Sequence, residues 1–522
     1  MAPKAGKKAG KAEKRGKKAR RTALPPPDSD AVISELIDMQ EAIKLLKTTR
    51  PTFYRWLRAG KIKGMKLGRQ WRFYREDIDR FLKGQGPRVD LPASLKPLIQ
   101  TLRRRVRELG RKDPSRKDLN DVQCAVRLMV ALGVALKASD LHLTAHIPAP
   151  GAQSVGVLRC RVDGVLHQFA EIDLRLLPPI VEEWKRMAAC DVRETKLPQD
   201  GRMVLKMADL KHGAGERVLD LRVCFVPAAL AESVTARLLD PANVSLRLDR
   251  IDYTPRDRER LLEALGATSG LIVVTGPTAC GKTTILYCCV GRLAGPGIKA
   301  MSVEDPVEYL LPWVTQIPVN HATGLTFSRL LRSMLRSDPD VILVGEIRNL
   351  EALQVSQQAV LTGHLVMTTL HTNDAASALT RMVDIGCAPF LVADTTRLVT
   401  SQRLVRVLCP HCSVKAKPPA ELLDWATDAA RAGGLDPAAL PGNFKKAVGC
   451  ERCASTGYKG RTLIAEMLEV SPKIREAVVR GGSTEGFRTL AVGEGMTTLI
   501  ADGVRRAANG QTTLEEVRRV TW

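Results

Sequence analysis

The sequence predicts an α/β protein: a parallel sheet covered on both faces by helices, a smaller α/β domain before it, a cysteine-rich element after it, and a small basic module near the N-terminus. Three observations lead there. Apolar runs of strand length, "GLIVVTG" at 270–276, "DVILVGE" at 340–346 and "HLVMTTLH" at 364–371, alternate with helical stretches, and continuous apolar strands between helices mark a sheet buried on both sides. The stretch "GPTACGKTT" at 276–284 follows one such strand and opens a helix, which is the context a phosphate-cradling loop requires. Seven of the chain's 21 aromatic residues fall in residues 38–83, enough for a small domain to build its own core.

At 522 residues the chain has room for about three or four domains. Its net charge of +24 is unevenly spread: residues 1–118 hold 33 Lys/Arg against 13 Asp/Glu, a net of +20. A basic partner surface is therefore expected at the N-terminal end. The longest apolar stretches, such as "LMVALGVAL" at 128–136, fall short of the roughly 20 residues of a membrane-spanning helix. The basic start is followed by no apolar segment, so a secretion signal is not expected. Of twelve Cys, four form two Cys-x-x-Cys pairs and the rest are scattered, a usage that fits a reducing cytosol with a metal site better than a disulfide framework.

Taken in chain order, residues 1–37 read as a disordered basic tail. "MAPKAGKKAGKAEKRGKKARRT" contains ten Lys/Arg and one Glu with almost no large apolar residue, too little to offset the entropy of ordering. Residues 38–83 then read as helix, turn, helix, hairpin, helix. Pro51 suits the first turn of the second helix, Phe53, Trp56 and Leu57 share one face of it, Gly60 ends it, and Thr52, Arg55 and Lys61 are left outward. The hairpin turns at Gly68-Arg69. This layout resembles the winged helix-turn-helix of excisionase and MerR-type proteins, whose second helix enters the major groove. With 13 basic and 5 acidic residues the module suits phosphate contacts. Such folds also dock proteins, so DNA and an acidic protein partner both stand as readings. Residues 84–118 read as a basic linker, although "LKPLIQTLRRRVRELG" has helical spacing.

In the phosphate loop, Gly276 and Gly281 let backbone N–H groups turn toward phosphate, Lys282 reaches the β- and γ-phosphates, and Thr283 ligates Mg²⁺. Gly276, Pro277, Thr278, Ala279, Cys280, Gly281, Lys282, Thr283 and Thr284 are the expected nucleotide contacts. "MSVEDPVEY" at 301–309 ends a strand in Glu304 and Asp305, "LLRSMLRSDPDVILVGEIRN" at 330–349 leads to Glu346, and "TGHLVMTTLHTNDA" at 362–375 places His364 before a strand and His371 after it. Singly, edge carboxylates serve as solvated caps and a lone His is structural. In this order they resemble the four signature boxes of the secretion ATPase superfamily of type II secretion and type IV pilus assembly.

That resemblance covers roughly residues 120–522 and implies a RecA-like P-loop ATPase core. It implies an N-terminal α/β domain at 119–250, the core at 251–405 and a zinc-binding, helical C-terminal region at 406–522. Within it, Glu304 corresponds to the carboxylate that orients or deprotonates the attacking water, Glu346 to the strand-end acid acting through Mg²⁺, and His364 and His371 to γ-phosphate sensors. Arg222 and Arg237, in "DLRVCFVPAALAESVTARLLD", match arginines that the family's first domain supplies to nucleotide; water-facing strand arginines are the other reading. Arg332 and Arg336 are weaker candidates. The resemblance further implies a homohexamer that hydrolyses Mg-ATP at the cytoplasmic face of the inner membrane, with membrane platform proteins as partners. Three positions depart from the family: Ala279 and Cys280 stand where Gly-Ser is usual, and Asn349 where Asp follows "GEIR". Ala tolerates positive φ less well than Gly, and a slower turnover is expected.

Cys409-x-x-Cys412 and Cys450-x-x-Cys453 are separated by 37 residues. Two such knuckles suit four thiolates around a structural Zn²⁺; a redox pair or chance spacing are the alternatives. His411 is adjacent to Cys412, which makes joint ligation awkward, and the gap predicts an inserted helical hairpin around "AELLDWATDAARAGG".

Overall fold

A computed structural model describes residues 36–58, 61–62, 64–67, 70–82, 95–111, 113–114, 119–149, 154–208, 216–239 and 247–521. The basic tail to residue 35, Gly60 and the Gly68-Arg69 turn lie outside the described residues.

The module begins two residues earlier than the sequence suggests, because β1 (Leu36–Asp38) pairs with the hairpin formed by β2 (Met65–Leu67) and β3 (Gln70–Tyr74). The helices Met39–Leu45, Arg50–Arg58 and Arg75–Leu82 close it. Phe53 and Phe73 meet edge to face at 5.1 Å, and Trp56 lies 4.9 Å from Phe81, so the aromatics form a core rather than a stacking surface.

Next comes a six-stranded antiparallel sheet in the order β6-β5-β4-β9-β8-β7, made of β4 (Asp140–His146), β5 (Val155–Val162), β6 (Val165–Asp173), β7 (Gln199–Ala208), β8 (Glu216–Val226) and β9 (Ser233–Leu239). Alternation sorts its faces: Leu221, Val223 and Phe225 are buried against the helices Asp121–Ala135 and Leu177–Met187, whereas Arg222 points the other way. A third helix, Lys96–Glu108, joins the same core through Leu98, Ile99, Leu102 and Val106. That corrects the assignment of 84–118 to a linker: four apolar residues at helical spacing outweigh the basic residues on the opposite face.

The central sheet has seven strands in the order β12-β11-β13-β14-β10-β15-β18. β10 (Gly270–Thr275), β11 (Ala300–Glu304), β12 (Val314–Pro318), β13 (Val341–Val344), β14 (Leu365–Leu370) and β15 (Thr396–Leu408) are parallel, while β18 (Tyr458–Glu469) runs antiparallel along β15. Leu271 and Val273 enter one apolar layer and Ile272 and Val274 the other, as a strand covered on both faces requires. The boundary expected at 405/406 divides a continuous sheet, since β18 returns to it after the cysteine element. Between the knuckles lie one helix, Ala420–Ala432, a 3₁₀ turn at Pro437–Ala439, and the two-stranded ribbon of β16 (Val414–Lys415) and β17 (Lys445–Lys446). The expected helical hairpin is therefore a single helix, which packs Leu422, Ala426 and Ala430 on Val504, Ala507 and Val517.

The two larger domains meet through charge. Arg222 reaches Glu308, and Asp163 accepts the Gly460 N–H at 2.8 Å and faces Arg461. If Lys96–Glu108 belongs to the first domain, Leu102→Ala should cost about 2–5 kcal/mol and lower the unfolding midpoint of that domain in urea. A midpoint unchanged from wild type would return this helix to the linker.

Candidate functional site

β10 ends at Thr275, and the chain turns through residues 276–281 into the helix Lys282–Leu293. The turn needs its glycines. Gly276 has φ 142°, and a Cβ there would lie 2.7 Å from both Cys280 Sγ and Gln402 O. Ala279 sits at φ 63°, a left-handed conformation that costs an L-residue about 1–2 kcal/mol, so the departure noted in the sequence falls on a strained position. Pro277, Thr278, Ala279 and Thr283 are exposed, Thr284 is half-buried and Cys280 is buried. The helix start leaves unpaired N–H groups and the positive dipole end at the loop. Lys282 Nζ lies over the loop, donating to Gly276 O at 2.7 Å and Pro277 O at 3.0 Å. Burial lowers the pKa of this ammonium, opposed by Cys280 and the Glu346 carboxylate.

Neighbouring strand ends bring the remaining groups to the same edge. Glu346, just past β13, is ion-paired with Arg348 and lies 3.3 Å from Nε2 of His371, the first residue after β14. Thr275 Oγ1 lies 2.8 Å from Thr372 Oγ1 and donates to Leu370 O at 3.1 Å, tying the phosphate strand to the histidine turn. Lys282, Glu346 and His371 thus come together.

His364 does not join them. It precedes β14 at the amino end, with Nδ1 2.8 Å from Ala359 O, and the seven residue steps from His364 to His371, at about 3.3 Å each, put the two histidines about 23 Å apart. Within this chain His371 is the one of the pair that stands beside Glu346. Glu304 also departs from expectation. It is buried and accepts from the Tyr287 hydroxyl, from Ser302 Oγ at 2.5 Å and from Gln316 Nε2 at 3.0 Å, so its oxygens are engaged away from the cleft. The carboxylate of this loop that stands at the domain seam is Glu308, four residues on, paired with Arg222 at 3.0 Å.

Arg222 lies directly opposite Arg237 in the β8–β9 register, and Arg237 opposite Asp140 in β4. Arg237 is 56% exposed and pairs with Asp140 at 3.2 Å. Arg332 pairs with Glu351, and Arg336 donates to Arg332 O, both on the helix-side surface and not in the histidine cluster. Asn349 caps the helix Leu350–Leu361 by accepting the Ala352 N–H at 3.0 Å; Asn serves as well as Asp there, which accounts for the substitution. Sequence reasoning missed Glu308, Gln402 and Arg403. Gln402 Nε2 donates to Cys280 O at 2.9 Å, and Arg403 donates to Gln402 O and Asn373 O, each at 2.9 Å. The available signal was a polar run, "TSQR", inside an otherwise apolar strand.

The four knuckle cysteines form the one such group of potential metal ligands among the described residues. Their sulfurs are 3.9 Å (Cys409–Cys450), 3.8 Å (Cys412–Cys453) and 3.7 Å (Cys450–Cys453) apart. Four bonds of about 2.3 Å in a tetrahedron give edges of about 3.8 Å, so the donors fit Zn²⁺. Cys453 Sγ also accepts the N–H groups of Cys450 at 3.1 Å and Gly457 at 3.2 Å, contacts that favour thiolate. His411 faces away, 3.0 Å from Arg452. All four positions being filled by protein, the site suits structure rather than catalysis.

On the N-terminal module, Arg50, Arg55 and Lys61 are exposed, while Thr52 is half-buried with its hydroxyl 3.1 Å from that of Thr49. Among the described residues no helix is long and apolar enough to cross a membrane.

Residues 116–519 match the family model described as "Type II/IV secretion system protein". The chain belongs to that family. Residues 36–86 match a helix-turn-helix domain, in agreement with the module's layout. The chain is 40% identical over 414 residues to a protein named type II secretion system protein HxcR from Pseudomonas aeruginosa, covering 78% of this chain and 80% of that one. It is 39% identical over 405 residues to a type IV pilus assembly ATPase, PilB, from Thermus thermophilus, covering 77% of this chain and 43% of that protein. The solved structure of the ATPase DotB from Legionella pneumophila shares the fold, with a TM-score of 0.52 at 17% identity, covering 76% of this chain and 94% of that one.

If the cysteines hold zinc, elemental analysis should find about one ion per chain. Cys453→Ser should lose it and His411→Ala retain it; zinc lost equally in both variants would reject the Cys₄ assignment.

Proposed function

We propose that the chain is a Mg²⁺-dependent ATPase, working as a homohexamer at the cytoplasmic face of the inner membrane, where domain motions drive assembly of a type II secretion pseudopilus or a type IV pilus against membrane platform proteins. The observation that carries this reading is the meeting of the phosphate loop, Glu346 and His371 at one sheet edge, in a chain of the secretion family. The names of the relatives support the pathway.

Residues 276–284 hold the nucleotide: loop and helix N–H groups bind phosphate oxygens, and Lys282 exchanges its two carbonyl acceptors for the β- and γ-phosphates. The exposed Thr283 hydroxyl and the Glu346 carboxylate are the residues that would hold Mg²⁺. The chemistry it would supply there is neutralisation of charge on the transferring phosphoryl group. His371, bonded to Glu346, is placed to report the γ-phosphate. Arg222 and Arg237 supply positive charge from the first domain, with Arg222 seated on Glu308 of the core.

Lys282→Ala and Glu346→Gln should each reduce phosphate release by at least about 100-fold, the usual weight of such electrostatic groups. Turnover at the wild-type rate in either variant would sink the assignment.

The helix-turn-helix match and the exposed Arg50, Arg55 and Lys61 favour a second, additional reading, in which the module binds duplex DNA. A ring of six weak modules would bind with avidity. The purified chain should then bind a DNA duplex with an affinity that falls steeply with salt, and Arg55→Glu should weaken it. Absence of binding at low salt would leave the acidic-protein reading of this surface.

A further inference from the structure

The hydrolytic reading makes no use of a buried polar network behind the strand end that carries Glu304. Tyr287 lies five residues after Lys282 on the helix Lys282–Leu293 and is 1% exposed. Its ring packs edge-on against Tyr309, with centroids 6.5 Å apart. Its hydroxyl donates to Glu304 and accepts the backbone N–H of Glu308 at 3.2 Å. Gln316, on β12, closes the network from the other side. Its Nε2 donates to Glu304 Oε1 at 3.0 Å and Tyr309 O at 2.9 Å, and its Oε1 accepts the Leu311 N–H at 2.6 Å. Every backbone group held this way belongs to residues 308–311.

A buried carboxylate with several polar partners is a costly way to fill space, because an apolar cluster of the same volume is as stable or more so. Its partners here fix the one segment of the core that receives the first domain's arginine. Arg222 donates to Glu308 Oε1 at 3.2 Å and to Val307 O at 3.4 Å. Tyr287 belongs to the helix whose first residue is the phosphate-loop lysine, so the hydroxyl links three things: the nucleotide loop, the 308–311 segment, and an arginine 65 positions earlier in the sequence.

Resting on the ATPase reading above, we propose that Tyr287, Glu304 and Gln316 are positioning residues that set Glu308, and through it Arg222, relative to the phosphate loop. Tyr287 acts as the strap: a shift of the helix start on nucleotide binding moves its hydroxyl and so carries the landing site of Arg222 with it. Glu304 holds the strap and takes no part in the proton chemistry.

Steady-state ATP hydrolysis by the full chain tests this. Tyr287→Phe keeps the ring and removes the hydroxyl; kcat should fall about tenfold, the weight of one hydrogen bond, with KM for ATP within about twofold. Because Tyr287 acts through Arg222, the Tyr287→Phe/Arg222→Ala double variant should be no slower than Arg222→Ala alone. Hydrogen exchange at residues 308–311 should quicken in Tyr287→Phe. Gln316→Leu should show the same dependence on Arg222, which protects the test if one variant folds poorly. Rate losses that multiply in the double variants would overturn the strap, as would wild-type turnover in Tyr287→Phe while Lys282→Ala is dead; the latter outcome would leave the ATPase reading intact. No Lys282-dependent turnover in the wild-type chain would instead remove that reading, and the strap with it.

Discussion

The parallel register of β10, β14, β13 and β11 is the constraint on which the site depends. Gly270 and Val341 both stand opposite Leu365, and Val341 stands opposite Ala300, so four strands run level and finish at one edge. The phosphate loop, the Glu346 turn, the His371 turn and the 305–311 segment meet there because hydrogen bonding between strands leaves them no other place. A slip of one residue in β13 would carry Glu346 along by about 3.3 Å and turn its side chain to the other face of the sheet. The apolar layers on both faces hold the strands against such movement, and the chemistry inherits its precision from packing that never touches a phosphate.

What the sequence made legible follows from how local each signal is. The phosphate loop, the knuckle cysteines and the apolar strands are contiguous patterns whose meaning is set by near neighbours, and they sit as expected. Glu304 and Glu308 are four residues apart in the same motif, and nothing local says which of them is buried. Tyr287 and Gln316, 17 and 12 residues from Glu304, decide it by supplying donors from below. His364 stands apart from His371 for a related reason: a pair of histidines flanking a strand looks like one cluster in sequence, but a strand is a rod with two distant ends. In the helix Lys96–Glu108 the helical spacing is visible beside the run Arg103-Arg104-Arg105, but the core that its apolar face joins is supplied by a distant helix and sheet.

The seam between the two larger domains has a different character from their interiors. Their hydrophobic cores are separate clusters, and the described contacts across the seam are polar: Arg222 with Glu308 and Val307, and Asp163 with Gly460 and Arg461. Polar seams open without exposing apolar surface, so relative movement of the domains is inexpensive. Directed movement then requires only that something on one side shift its polar partners. The segment of residues 308–311 is such a partner, and it is anchored to the helix that begins at the phosphate loop.

The cysteine element leaves the central sheet at Leu408 and rejoins it at Tyr458, residues that stand opposite each other in the β15–β18 ladder. Its two ends are therefore one strand spacing apart, about 4.8 Å, and a short turn could bridge them without disturbing the sheet. An excursion attached in this way can change in length without disturbing the register of the sheet beneath it. Its fold is thereby a local matter, in which four clustered cysteines can do for the excursion what strand pairing does for the sheet.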